Sequence, residues 1–151
     1  MRTIKFRGKD IRGWHYGDLR HTEVMNVSYV GIINENDKKE SGSTIYIVQE
    51  ETVGQFTGLY DKNGKEIYEG DILKYTRYNF RSEYLKEDKI EEIYVVFWNE
   101  SKYGFYCRTK FKNGGGASGF FGFEDERAEK NEIEVVGNIY DNPELLKGGK
   151  Q

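Results

Sequence analysis

A chain of 151 residues with a single cysteine and two histidines is long enough for one domain or two small subdomains sharing a core, and it can neither close an internal disulfide nor supply a Cys/His zinc site. Its net charge of −3 argues against a general nucleic-acid binder, whose domains are strongly basic, without excluding a local patch. Tyr 12, Phe 9, Gly 18 and one proline describe short strands joined by glycine turns, and with 36% hydrophobic residues the core has to draw on its aromatic rings.

The opening MRTIKFRGK runs straight into alternation with no signal-peptide core, and no apolar run approaches the ~18 residues that span a bilayer. The expectation is a soluble, unprocessed protein of a reducing, cytoplasmic compartment. Residues 3–7 set Thr3, Lys5 and Arg7 against Ile4 and Phe6, as a half-buried strand does. Residues 8–13 read as a turn or loop. Trp14-His15-Tyr16-Gly17-Asp18-Leu19 begins a second strand in which Gly17 is free to bulge or to admit a close contact. Arg2, Lys5, Arg7, Lys9, Arg12 and Arg20 stand here against only Asp10 and Asp18, a pattern expected of a solvated strand that discourages edge pairing. Residues 27–33 form the next strand, and NENDKKESGS at 34–43 reads as a mobile polar loop. Ile45, Tyr46, Ile47 and Val48 follow in succession, apolar on both faces, which predicts a central strand over 44–49.

The densest structural signal is TVGQFTGLYDKNGKEIYEGDILKY, residues 52–75. Residues 55–60 are a strand, and Asp61-Lys62-Asn63-Gly64 is a turn in which Asn63 and Gly64 supply positive-φ positions while Asp61 bonds its own downstream amides. The chain returns over 65–68, turns at Glu69-Gly70-Asp71 and leaves as a strand over 72–78. Residues 78–89 are charged, either one helical turn or an exposed loop. Residues 90–99 are a core strand and 99–102 a turn. Residues 103–112 alternate Tyr103, Phe105, Cys107, Thr109 and Phe111 against Lys102, Tyr106, Arg108, Lys110 and Lys112, so 93–111 reads as a hairpin. After a glycine loop at 113–119 come a short strand at 120–123, a helix turn at 124–130 and a last strand at 133–140. Asp141-Asn142-Pro143 then starts a short terminal helix, with a side-chain cap and proline at the first helical position, and Gly148 ends it.

VGQFTGLYDKNGKEIYEGDI, with WHYGDL before it and VVGNIYDNPELL after it, resembles the YopX-like family of small bacteriophage and prophage proteins. The resemblance covers nearly the whole chain and implies a mostly β fold and a phage-related origin in the bacterial cytoplasm; it brings no catalytic or binding residues. Trp14, Tyr16, Gly17, Gly54, Gln55, Thr57, Gly58, Asp61, Asn63, Gly64, Tyr68, Gly70 and Asp71 carry the shared motifs and are expected to serve structure. Eight to ten short strands at turn spacing predict an all-β chain, a small barrel or two packed antiparallel sheets with SH3-like barrel character and a short C-terminal helix. The expected division is 1–50 and 51–147, with a frayed tail at 148–151.

Chemical motifs are thin. Asp61 and Asn63 open like a calcium loop, but Gly64 stands fourth rather than sixth and Ile72 holds the twelfth position, so a plain hairpin turn is expected. Gly114, Gly116 and Gly119 match the dinucleotide spacing with no helix to face a pyrophosphate, which leaves a loop. His15 sits beside Asp18 without the context of a catalytic triad. Glu66, Glu69 and Asp71 crowd one corner, either as turn carboxylates bonding amides or as an acid/base pair or Mg²⁺ site. Cys107 falls on the aromatic face as a buried, inert thiol.

One face is basic: Lys102, Tyr106, Arg108, Lys110 and Lys112 put four cations around a ring, with no acid from 101 to 119. Cations on phosphates and a ring under a base hold single strands; an acidic stretch at 124–134 offers the same face an intramolecular or intersubunit cover. The expected protein is therefore a non-enzymatic accessory module with no cofactor and no metal, self-associating and binding a phage or host protein. The alternative is single-stranded nucleic-acid binding on the basic face, and a membrane is not among the expected partners.

Overall fold

The computed structural model describes residues 3–39, 42–79, 88–109, 118–120 and 132–147. The chain divides into two compact units, Met1–Leu59 and Tyr60–Gln151. Strand dominates both, and among the described residues no helix is long and apolar enough to cross a membrane.

The first unit holds β1 (Phe6–Asp10), β2 (Gly13–Val24), β3 (Val27–Lys39), β4 (Gly42–Ile47) and β5, which spans Gln49–Tyr60. They lie in the order β4-β3-β2-β1-β5, with every recorded pairing antiparallel. Local chemistry sets the turns. Asp10 Oδ1 accepts the amides of Arg12 at 2.7 Å and Gly13 at 3.1 Å, closing a two-residue connection between β1 and β2. Between β2 and β3, Met25 at φ 51 and Asn26 at φ 61 both take positive φ, the geometry that matches strand twist in a two-residue hairpin.

Alternation then sorts the side chains. Val30, Ile32 and Val48 form the buried cluster, and Phe6, Leu19 and Val53 pack against it. Each such side chain contributes about 1.5–3 kcal/mol when fully buried. Gly17 is required by this packing, because a Cβ there would collide with the carbonyl oxygen of Ile33; the close contact admitted by the WHYGDL motif is made by β3.

Two expectations change in this unit. The polar run at 34–43 is largely strand, pairing Lys38 with Ser43 and Lys39 with Gly42, because a backbone ladder needs no apolar side chains. The strand expected to be central, β4, stands at the end of the sheet order.

The second unit holds β6 (Glu66–Tyr68), β7 (Asp71–Asn79), β8 (Asp88–Asn99), β9 (Gly104–Thr109), β10 (Ser118–Phe120), β11 (Glu132–Asn138) and a 3-10 turn at Pro143–Leu146. Its sheet runs β10-β9-β8-β7-β11 and is antiparallel throughout. Leu73, Val96, Phe105 and Val135 are buried on one side of it, with Ile67 and Ile72 also buried. The strand orders are linear, so the chain is all-β in two open antiparallel sheets and not a closed barrel.

The terminal helix is only one 3-10 turn, and Asn142 makes no side-chain cap bond. Asn138 organises this end instead, its Oδ1 accepting the amides of Tyr140 at 3.0 Å and Asp141 at 2.9 Å. The readings at 80–87, 121–131 and 148–151, and Lys110, Phe111, Lys112 and most of the glycine loop, lie outside the described residues.

Candidate functional site

Asp61 is buried, and its carboxylate is fully engaged with backbone. Oδ1 accepts the amides of Asn63 at 2.8 Å and Lys65 at 2.9 Å, while Oδ2 accepts that of Val135 on β11 at 3.0 Å. Burial works to raise its pKa, but these three amide donors and the Lys65 charge outweigh burial and hold the carboxyl below its ordinary range. The Lys62 amide donates to Ile133 O at 2.9 Å, and Lys62 Nζ lies 2.9 Å from Glu132 and 3.4 Å from Glu134. The turn is thus a clasp on β11. Within the turn Gly64 takes positive φ, at 79°, and Asn63 does not; the Gly64 amide donates to Asp61 O at 2.9 Å and the Asp61 amide to Lys65 O at 2.8 Å, so the glycine sits where the loop rejoins the strand.

The corner at Glu69-Gly70-Asp71 is equally committed to structure. Asp71, only 1% exposed, accepts the Tyr68 amide at 2.8 Å; Glu69 Oε1 accepts the Trp98 amide at 3.1 Å; and Glu66 Oε2 accepts the Tyr68 hydroxyl at 2.6 Å. Gly70, at φ 82, donates its amide to Val96 O and accepts that of Ile139, both at 2.9 Å. Because β6 is not in the β10-β9-β8-β7-β11 sheet, this is a corner rather than a hairpin. Among the described residues no group of three or more His, Cys, Asp or Glu side chains is placed to hold a metal ion. Of the remaining motif residues in β5, Gly54 pairs with Arg7 and Gln55 with Phe6, while Thr57 Oγ1 accepts the Leu59 amide at 3.2 Å around Gly58, which has φ 91.

The basic face expected on β9 is only partly assembled. Tyr106 and Arg108 share one face, opposite Phe97 and Val95 of β8. The Arg108 guanidinium lies 4.9 Å from the Phe97 ring centroid, and the Phe97 and Tyr106 rings are 6.4 Å apart. Lys102 is not on that face; it sits in the turn before β9, its amide bonded to Asn99 O and Oδ1, both at 3.2 Å. Tyr103, at φ 51, is in the same turn and is exposed rather than part of the strand. Lys110 and Lys112 lie outside the described residues. On the opposite face, burial pushes the Cys107 thiol up to about 11, which leaves it protonated and unreactive near neutrality.

A second basic and aromatic arrangement, where the sequence predicts a solvated strand, runs along β1 and β2. Lys5 Nζ lies 5.9 Å from the Tyr16 ring, and Arg7 Cζ and Lys9 Nζ lie 4.7 and 6.0 Å from the Trp14 ring. The pairing of Arg7 with Tyr16 and Lys9 with Trp14 puts all five side chains on one face. Arg7 is 4% exposed, so the middle of this ladder is packing and not an open cationic surface. At its end Lys5, Tyr16, Gly17, Asp18 and Asn34 help to line an open groove of about 260 Å³, below the usual size of a small-molecule site.

His15 lies on the other face of β2 from Asp18 and meets Asp10 instead, with Nε2 3.0 Å from Oδ1, while its ring stacks on Tyr46 at 3.9 Å. The Tyr46 hydroxyl donates to Asp37 at 2.8 Å. Contact with His15 holds the Asp10 carboxyl below its ordinary range against the opposing effect of burial, and the amides of Arg12 and Gly13 add to the lowering. Strand parity carried the signal for this pair: His15 and Asp18 are an odd number of residues apart and must point to opposite faces.

The sequence model of the family described as YopX protein matches residues 5–147. No match is found among curated proteins. Among solved structures, the crystal structure of protein EF1440 from Enterococcus faecalis is similar at 23% identity and a TM-score of 0.42, over 97% of this chain and 99% of that one.

Proposed function

The chain belongs to the YopX family, and on that premise we propose that it is a non-catalytic module that works by binding protein, its own copies first, as a phage or prophage accessory in the bacterial cytoplasm. One observation carries this reading. Ile45 and Ile47 of β4 lie exposed on one face of the first unit's sheet, and by strand parity Tyr29 and Val27 of β3, also exposed, are on the same face; exposed apolar side chains on a strand pair are a surface suited to another protein. The carboxylates at the Asp61 and Glu69-Gly70-Asp71 turns, by contrast, are engaged by backbone amides.

A second reading, single-stranded nucleic-acid binding, is supported by Arg108 and Tyr106 sharing a face with Phe97. Size-exclusion chromatography with light scattering, run at low and high salt with and without a mixed-sequence single-stranded oligonucleotide, separates the two. The first reading expects a salt-stable oligomer that ignores the oligonucleotide. Uptake at low salt and release at high salt would replace it with the second.

A further inference from the structure

Strand β4, Gly42–Ile47, has the composition of a strand with a neighbour on each side. GSTIYI contains no charge and no proline, whereas edge strands ordinarily carry Lys, Pro or a bulge to block pairing with other chains. Yet among the described residues β4 pairs only with β3. Its inward positions are satisfied: Tyr46 stacks on His15, and Val48, just beyond the strand, is in the core. Its outward positions are not, since Ile45 is 41% and Ile47 45% exposed.

The backbone is open on the same side. Val48 donates its amide to Val30 O at 3.0 Å, and with Tyr46 paired to Ile32 strand alternation turns the N–H and C=O groups of Tyr46 toward β3 and those of Ile45 and Ile47 away from it; the register shifts only beyond Ile45, between Ile33 and Lys38 of β3. A free hydrogen-bonding edge and an exposed isoleucine row thus occur on one six-residue strand.

We infer that β4 is an assembly edge that receives β4 of a second copy, antiparallel, across a two-fold axis. The inference rests on the self-association reading above and names its surface. Charge selects the occupant: a strand without charges offers no counter-charge to a charged target, but two copies of it oppose no like charges when they pair. The two-fold operation also closes the assembly, so the edge is consumed and no open fibre results. Six residues of strand pairing fall short of the ~1,000 Å² typical of a stable interface. The row of Ile45, Ile47 and Tyr29 therefore has to join the contact.

The test uses the full chain. Ile45→Lys and Ile47→Lys together place cations opposite their symmetry mates and are expected to raise the dissociation constant about tenfold or more, with the melting temperature of the monomer unchanged. Met25→Lys, at a residue 93% exposed in the β2–β3 turn, is expected to leave assembly unchanged. Ile45→Cys and Ile47→Cys together, in a Cys107→Ser background, are expected to cross-link copy to copy on oxidation, since any register of the proposed pairing centred on these residues sets at least one thiol opposite a thiol of the mate; this arm decides the matter if the lysine variants fail to fold. An oligomer indifferent to the lysines, with no cross-link, overturns the β4 edge and leaves self-association standing. A monomer at every concentration overturns both.

Discussion

Asp61 and Val135, 74 residues apart in the chain, are joined by a 3.0 Å hydrogen bond from the Val135 amide to Asp61 Oδ2. The aspartate at the head of the DKNG turn therefore does more than shape a hairpin: one oxygen closes the turn and the other pins it to β11. Asp61→Asn keeps an oxygen for the turn but sets an amide group against the Val135 N–H, and the expected cost is about 1–3 kcal/mol. Asp61→Ala costs more, because three amide donors then lose their acceptor. Lys62→Ala, whose partners are surface carboxylates, is expected within about 1 kcal/mol of the parent. Urea unfolding of the three variants checks the order, and equal effects would remove the clasp from the account.

Acid should find the same residue. The Asp61 and Asp10 carboxyls are both held below the ordinary value, so in the acid range the unfolded chain binds more protons than the folded one. Their stabilisation is complete above the unfolded pKa of about 3.9 and is lost as pH falls through the lower folded values. Melting temperatures between neutral and acid pH should show that loss, and Asp61→Asn should flatten its share of it.

Gly17→Ala tests a close approach of backbone to backbone. The added Cβ would strike the Ile33 carbonyl, which no rotamer change can relieve, whereas at Gly31 its nearest neighbour is a side-chain atom, Ile45 Cγ2 at 2.5 Å, with the Tyr46 carbonyl oxygen farther off at 3.3 Å. Thermal unfolding should place Gly17→Ala below Gly31→Ala, with a loss of about 1–3 kcal/mol or more for the former.

Cys107 should be a slow thiol. Burial raises it from 9.0 to about 11, which lowers the thiolate fraction near pH 8 on the order of a hundredfold. Alkylation of the native protein should therefore be slow and should accelerate on unfolding; equal rates in both states would contradict a half-buried thiol. The same rise means that its contribution to stability is present below pH 9 and lost as pH climbs toward 11.

How much of this was legible in the sequence depended on the range of the interaction. The turns at Asp61-Lys62-Asn63-Gly64 and Glu69-Gly70-Asp71 and the β8–β9 hairpin could be read because glycine, Asx chemistry and alternation act within a few residues. The place of β4 could not, because Ile45, Tyr46, Ile47 and Val48 report how apolar a strand is and not how many neighbours it has. Nor could the bond from Asp61 to Val135, which depends on β11 pairing with β7 across most of the second unit. Of the residues on the expected basic face, Tyr106 and Arg108 share one side of β9 because alternation acts along the strand, while Lys102 lies in a turn that runs four residues, from Glu100 to Tyr103, before β9 begins. The ladder of Lys5, Arg7 and Lys9 on Trp14 and Tyr16 follows from a two-residue β1–β2 turn, tighter than the turn or loop expected over residues 8–13.

Amide hydrogen exchange on the full chain, measured as protein concentration is raised, tests self-association through the first unit most directly. The account predicts that the outward amides of Ile45 and Ile47 slow as concentration rises, while those of Met25 and Asn26 at the far hairpin turn do not. Exchange at Ile45 and Ile47 that is fast and independent of concentration would contradict it.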